Sequence, residues 1–83
     1  MATRGRRERA WQNTPSVRGK NPNLYRRDVF GNEIYKPAYG KIGAKGWEVD
    51  HSNPRSRGGT SLSRNLQAMQ PRANRSKGDR YPY

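Results

Sequence analysis

Hydrophobic positions are sparse over the first 23 residues and regular after them. Beyond Met1, the large hydrophobes of residues 1–23 are Trp11 and Val17, set among Arg, Asn, Gly and Pro. Such a composition repays little of its ordering entropy, so it predicts a flexible basic arm over 1–23 ahead of a folded domain over 24–83. Trp11 is expected to dock on the domain surface. From Leu24 onward, Tyr25, Val29, Phe30, Ile34, Tyr35 and Tyr39 interleave with charges. Gly31-Asn32 is a turn signal between two short β-prone runs, which predicts a hairpin over 27–35. Pro37, Gly40, Gly43 and Gly46 then punctuate a loop. Trp47-Glu48-Val49-Asp50-His51 alternates apolar and polar, the signature of a strand with Trp47 and Val49 on one face. Residues 52–63 are rich in Ser, Arg, Gly, Asn and Pro and read as a long exposed loop. Leu66, Ala68 and Met69 mark a second short strand that Pro71 ends. Proline suits a first helical position and Gly78 the residue past a helix end, so 71–77 reads as a short helix. The predicted class is α+β, with strand, loop, strand and helix in that order and the upstream hairpin covering a small core.

Size sharpens this picture. The chain has 83 residues, 29% of them hydrophobic, and a chain of this length buries only about 60% of its unfolded surface. Extra stability is then expected from a metal, a disulfide or a partner. Cysteine is absent, which excludes disulfides, thiolate zinc sites and thiol catalysis. The single histidine, His51, excludes a four-ligand zinc site of the usual kind. An oxygen-ligated metal or a partner remains.

Charge narrows the partner. Eighteen Lys and Arg against six Asp and Glu give a formal charge of +12. That excess repels itself and is relieved beside a polyanion, where neutralised phosphates release counterions. Nucleic acid is the leading partner; a solubilising basic surface and an acidic membrane face are the alternatives. Arg4, Arg6, Arg7 and Arg9 either follow a nucleic acid backbone or belong to a solvated tail, and Trp11 could instead stack on a base. No apolar run reaches the roughly 20 residues a bilayer span needs. Residues 1–10 lack the apolar segment of a secretory signal. A soluble, cytoplasmic protein without membrane contact is expected.

The chemistry gathers in the second half. Asp50 and His51 are adjacent, Asn65 follows His51 by 14 positions and Asn74 follows it by 23. With Gly46-Trp47-Glu48-Val49 before them, Pro54, Ser56 and Gly58-Gly59 between, and Asn65-Leu66-Gln67 and Lys77-Gly78-Asp79 after, these residues resemble the HNH family of nucleases. The resemblance covers 46–79, is weaker over 27–40, and leaves the first 23 residues unexplained.

This resemblance implies a ββα-metal fold, in which two strands and a helix hold one divalent ion against a scissile phosphate. It implies Asp50 and Asn74 as metal ligands, His51 as general base, and Asn65 as a structural brace for the loop behind His51. The chemistry suits those roles. A carboxylate and a neutral amide oxygen leave room for water and phosphate oxygens around a hard ion. Imidazole, with an ordinary pKa of about 6.5, can take a proton from water, and an amide can bind loop backbone through its acceptor and donors. Many members carry His where this chain has Asn74. The amide disfavours Zn²⁺ and points to Mg²⁺ or Mn²⁺. One geometric demand follows: adjacent strand residues face opposite ways, so Asp50 and His51 converge only if the strand ends there, at Ser52-Asn53-Pro54. Arg55, Arg57, Arg64, Arg72, Arg75 and Lys77 surround the site in sequence and are candidate phosphate contacts, with Arg57 and Arg75 foremost. The Gly58-Gly59 step is expected to turn the loop.

The function expected is a small metal-dependent endonuclease acting on DNA, most readily double-stranded, with weak sequence preference. Two alternatives share the sequence features: a noncatalytic basic nucleic-acid-binding protein, and a toxin-type nuclease neutralised by an acidic inhibitor protein. Sequence gives no oligomeric state.

Overall fold

A computed structural model describes residues 3–54, 58–59 and 62–78. Its clearest departure from the expectation concerns the first 23 residues. Arg4–Gln12 forms a nine-residue helix, α1, and its Ala10 and Trp11 are buried, so this stretch is not a free arm. Thr3 caps the helix, its hydroxyl accepting from the Arg6 amide at 3.3 Å. Trp11 is fully buried, and its indole N–H donates to the Pro22 carbonyl at 2.9 Å. Counting hydrophobes misjudges this segment, because one tryptophan buries as much surface as several small side chains.

The strands are β1 (Tyr25–Arg27), β2 (Glu33–Tyr35), β3 (Glu48–His51) and β4 (Leu66–Met69), followed by a second helix, α2 (Pro71–Lys77). They form two antiparallel two-stranded sheets, β1 with β2 and β3 with β4. The result is a small α+β fold. The first hairpin lies where expected, but its turn is not a two-residue Gly31-Asn32 turn. Residues 28–32 form a longer loop built on buried Asp28. One Asp28 carboxylate oxygen accepts from the Phe30 amide at 3.0 Å and the Asn32 amide at 2.9 Å. Gly31 supplies the left-handed backbone, with φ +90°.

In the second hairpin, Glu48 pairs with Met69, Val49 with Ala68, Asp50 with Gln67 and His51 with Leu66. Strand alternation gives it two different faces. Trp47, Val49 and Ala68 meet Trp11 and Ile34 in the core, with Tyr39 packed alongside. The Trp11 and Trp47 rings are 5.1 Å apart, and Tyr39 meets Trp47 edge-on at 4.9 Å. Glu48, Asp50 and Gln67 belong to the other face, which α2 covers through side-chain bonds. β3–β4 is thus sandwiched between α1 and α2.

An edge strand leaves unpaired backbone groups, and side chains occupy two of them in β4 and a third at Gln70, just past its end. The Asn13 amide donates to the Leu66 carbonyl at 3.0 Å. Thr14 Oγ1 accepts from the Ala68 amide at 2.8 Å while donating to the Ala10 carbonyl at 2.8 Å. Asp28 Oδ2 accepts from the Gln70 amide at 3.1 Å. The end of α1 and the first hairpin together seal the edge.

Seven residues are too few for a stable isolated helix, so α2 depends on its surroundings. Gln70 caps it, accepting from the Ala73 amide at 2.9 Å, Pro71 occupies its first turn, and Gly78 ends it with φ +55°. Among the described residues no helix is long and apolar enough to cross a membrane.

Candidate functional site

The α2-facing side of β3 collects polar groups, Asp50 and Lys77 buried and Glu48, Gln67 and Asn74 half-buried. Glu48 and Asp50, two apart on a strand, share a face, and Asn74 and Lys77, three apart on a helix, share another. The two faces meet. Asn74 Nδ2 donates to Glu48 Oε1 at 2.7 Å. The Lys77 ammonium lies 3.3 Å from Asp50 Oδ2, with the Lys77 side chain wholly buried and that of Asp50 only 10% exposed. Gln67, opposite Asp50 in the ladder, donates to the same oxygen at 2.8 Å. Lys77 also donates to the His51 carbonyl at 3.1 Å, so it ties α2 to two successive residues of β3.

Lys77 is therefore not a surface phosphate contact. Its chemistry is that of a fixed internal cation, since burying an ammonium group is costly without a carboxylate and further acceptors around it. The signal was available in sequence: a residue three after Asn74 lies on the same helical face, and a helix that turns Asn74 inward turns Lys77 inward too. Glu48 was also passed over, although the two-residue strand period places it beside Asp50.

His51 is the last residue of β3 and is half-buried. It lies within the paired register, opposite Leu66, so alternation puts it on the opposite side from Asp50, and the strand ends only beyond it, at Ser52. The loop beyond is fastened by Asn65. Its Oδ1 accepts from the Asn53 amide at 2.8 Å, its Nδ2 donates to the Asn53 carbonyl at 3.0 Å, and its own carbonyl accepts from the Ser52 amide at 2.8 Å. Gly59 folds back on the same point. Its amide donates to the Pro54 carbonyl at 2.9 Å, and a Cβ there would collide with the Asn53 carbonyl oxygen. Asn65 and Gly59 thus fix the chain immediately after His51.

The surrounding cations differ in standing. Arg64, Arg72 and Arg75 are exposed; Arg72 and Arg75 project from α2. Arg55 and Arg57 lie outside the described residues.

Could these groups hold a divalent ion? Among the described residues no three His, Cys, Asp or Glu side chains cluster, so protein ligands would be few and water would supply the rest. The donor types fit a hard ion: Asp50 offers the carboxylate oxygen not engaged by Gln67 and Lys77, and Asn74 the amide oxygen not engaged with Glu48. The ion would share Asp50 with the Lys77 ammonium, which favours weak binding. Comparison with protein-family models, curated proteins and solved structures finds no match.

Proposed function

We propose that this chain is a metal-dependent nuclease of the HNH, ββα-metal type, and more particularly an endonuclease acting on DNA. The observation that carries the reading is the meeting of Asn74 and Lys77 with Glu48 and Asp50, one residue from the only histidine and beside a loop pinned by Asn65. Within a chain of charge +12, such a buried polar face is a costly construction for structure alone.

In this reading His51 takes a proton from the attacking water, which makes the water a better nucleophile. Asp50 and Asn74 would hold Mg²⁺ or Mn²⁺, which would supply stabilisation of the negative charge that develops at the reacting phosphate. Lys77 and Gln67 keep the Asp50 carboxylate in one orientation. Asn65 keeps the backbone after His51 from drifting, so the imidazole meets the water at a constant angle. Arg64, Arg72 and Arg75 hold flanking phosphates, and affinity falls steeply with salt.

The test is supercoiled plasmid incubated with Mg²⁺ or Mn²⁺, with and without chelator. Wild-type protein nicks or linearises the plasmid only with the ion, and His51→Ala abolishes this. Cleavage that persists in His51→Ala or in chelator would sink the mechanism. One observation favours a noncatalytic nucleic-acid-binding protein instead: Lys77 already compensates Asp50, so the carboxylate does not require an ion. Retention of the plasmid without cleavage under any divalent ion would select that reading.

A further inference from the structure

On the other side of β3–β4, the start of α1 and the 3₁₀ turn at Lys36–Ala38 enclose a concavity of about 110 Å³, lined by Arg4, Arg7, Glu8, Lys36, Tyr39 and Trp47. Its lining carries three cations against one acid, and that acid is already paired: Lys36 Nζ lies 2.8 Å from Glu8 Oε1. The Arg7 guanidinium is held 4.8 Å over the Tyr39 ring. Its Nε is buried without a hydrogen-bond partner, a state that buried donors rarely keep.

The helix itself adds to the imbalance. Its first turn holds no acid and instead carries Arg4, Arg6 and Arg7, so positive side chains stand at the positive end of the helix dipole. An anion in the concavity would relieve that repulsion and give the Arg7 guanidinium an acceptor. Base stacking is a poor use of the site, because Trp47 is buried and Arg7 already lies over Tyr39. The geometry points to a backbone phosphate of a nucleic acid strand as the occupant, gripped by Arg4, Arg7 and Lys36 as an anchor separate from the Asp50–Lys77 face. This rests on the nucleic-acid reading above. From Trp47 to His51 the strand advances about 13 Å at ~3.3 Å per residue, so the anchor holds a phosphate other than the one that reacts.

Fluorescence anisotropy with a short labelled DNA duplex, in chelator so that cleavage plays no part, tests the anchor across a salt series. Each phosphate contact contributes about 0.9 to the slope of log K against log salt. Arg4→Gln/Arg7→Gln should weaken binding and lower that slope by about 1 to 2, and Arg7→Lys should restore part of the loss. Because Arg7 packs on Tyr39, exposed Arg4→Gln is measured alone as well, alongside thermal melting; folded protein with an unchanged slope overturns the anchor. Arg72→Gln/Arg75→Gln provides the contrast. If only that pair weakens binding, the anchor falls and the nucleic-acid reading stands; if neither pair does, both fall. Inorganic phosphate, titrated while the Arg7 Nε–H signal is followed by NMR, separates the sources: a shift with DNA but not with free phosphate supports a strand-borne anion, and a shift with neither overturns the site.

Discussion

The two faces of the β3–β4 hairpin are built on opposite principles. Toward α1 it presents Trp47, Val49 and Ala68 to Trp11 and Ile34, apolar surface whose burial favours folding directly. Toward α2 it presents Glu48, Asp50 and Gln67 to Asn74 and Lys77, groups that lose hydration and recover it only through one another. Two short strands can carry such a polar interior because the apolar face, with β4's edge bonded to Asn13 and Thr14 and the following Gln70 to Asp28, already holds the hairpin in shape. The lesson is a division of labour: α1 covers the hairpin's apolar face, and α2 pairs the polar groups of the other.

That division can be broken most severely at Trp11. Trp11→Ala removes one of the two buried tryptophans of the core and should destabilise by about 3–5 kcal/mol, a large fraction of what a small domain possesses. Urea denaturation should show little folded protein remaining. A loss below about 1 kcal/mol would mean that α1 is not integral to the core.

Next in size is Lys77. Lys77→Met strands the Asp50 carboxylate in a buried setting and should cost on the order of 3 kcal/mol. Adding Asp50→Asn should return much of it, because no uncompensated charge remains. If the double variant is no more stable than the single, the ion pair is not what fastens α2.

A finer comparison lies within the polar side. In chelator, Asn65→Ala should lower the melting temperature more than Asn74→Ala, since Asn65 makes two bonds to the Asn53 backbone while Asn74 makes one side-chain bond, to Glu48. Equal losses would argue that the Asn53 clamp contributes little to holding the loop.

The smallest effect tests the exposed electrostatics for contrast with the buried pair. Hydrogen bonds from Lys45 first and Lys20 second lower the Glu33 pKa from 4.5 to about 2. A depressed carboxylate contributes stability that is fully present above pH 4.5 and is lost as pH falls through about 2. Glu33→Gln should therefore flatten that part of the acid limb of a melting-temperature profile by a small amount. A profile identical to wild type between pH 4.5 and 2 would remove Glu33 from the acid response.

Much of the second half was legible before any coordinates. β3 shows in the alternation from Trp47 to His51, β4 in Leu66, Ala68 and Met69, and α2 in the placement of Pro71 and Gly78, because each of those signals is local. The first hairpin was legible in position but not in turn, since the Asp28 carboxylate that shapes it also bonds Gln70, 42 positions away. α1 was illegible for a related reason. Its order comes from Trp11 packing against Trp47 and from Thr14 bonding Ala68, contacts whose partners no window of sequence contains. The concavity at Arg4, Arg7 and Lys36 has the same origin.

By itself the sequence determined the strand periods of the second hairpin, the ends of α2, the excess positive charge and the absence of thiol chemistry, all of which are properties of neighbouring residues or of totals. Tertiary structure decided which of its many cations is buried. Spacing puts Lys77 on the same helical face as Asn74, but only the docking of α2 over Asp50 makes it an internal counterion. Burial is a property of the whole fold, and the free energy of a charge depends on burial more than on its place in the chain.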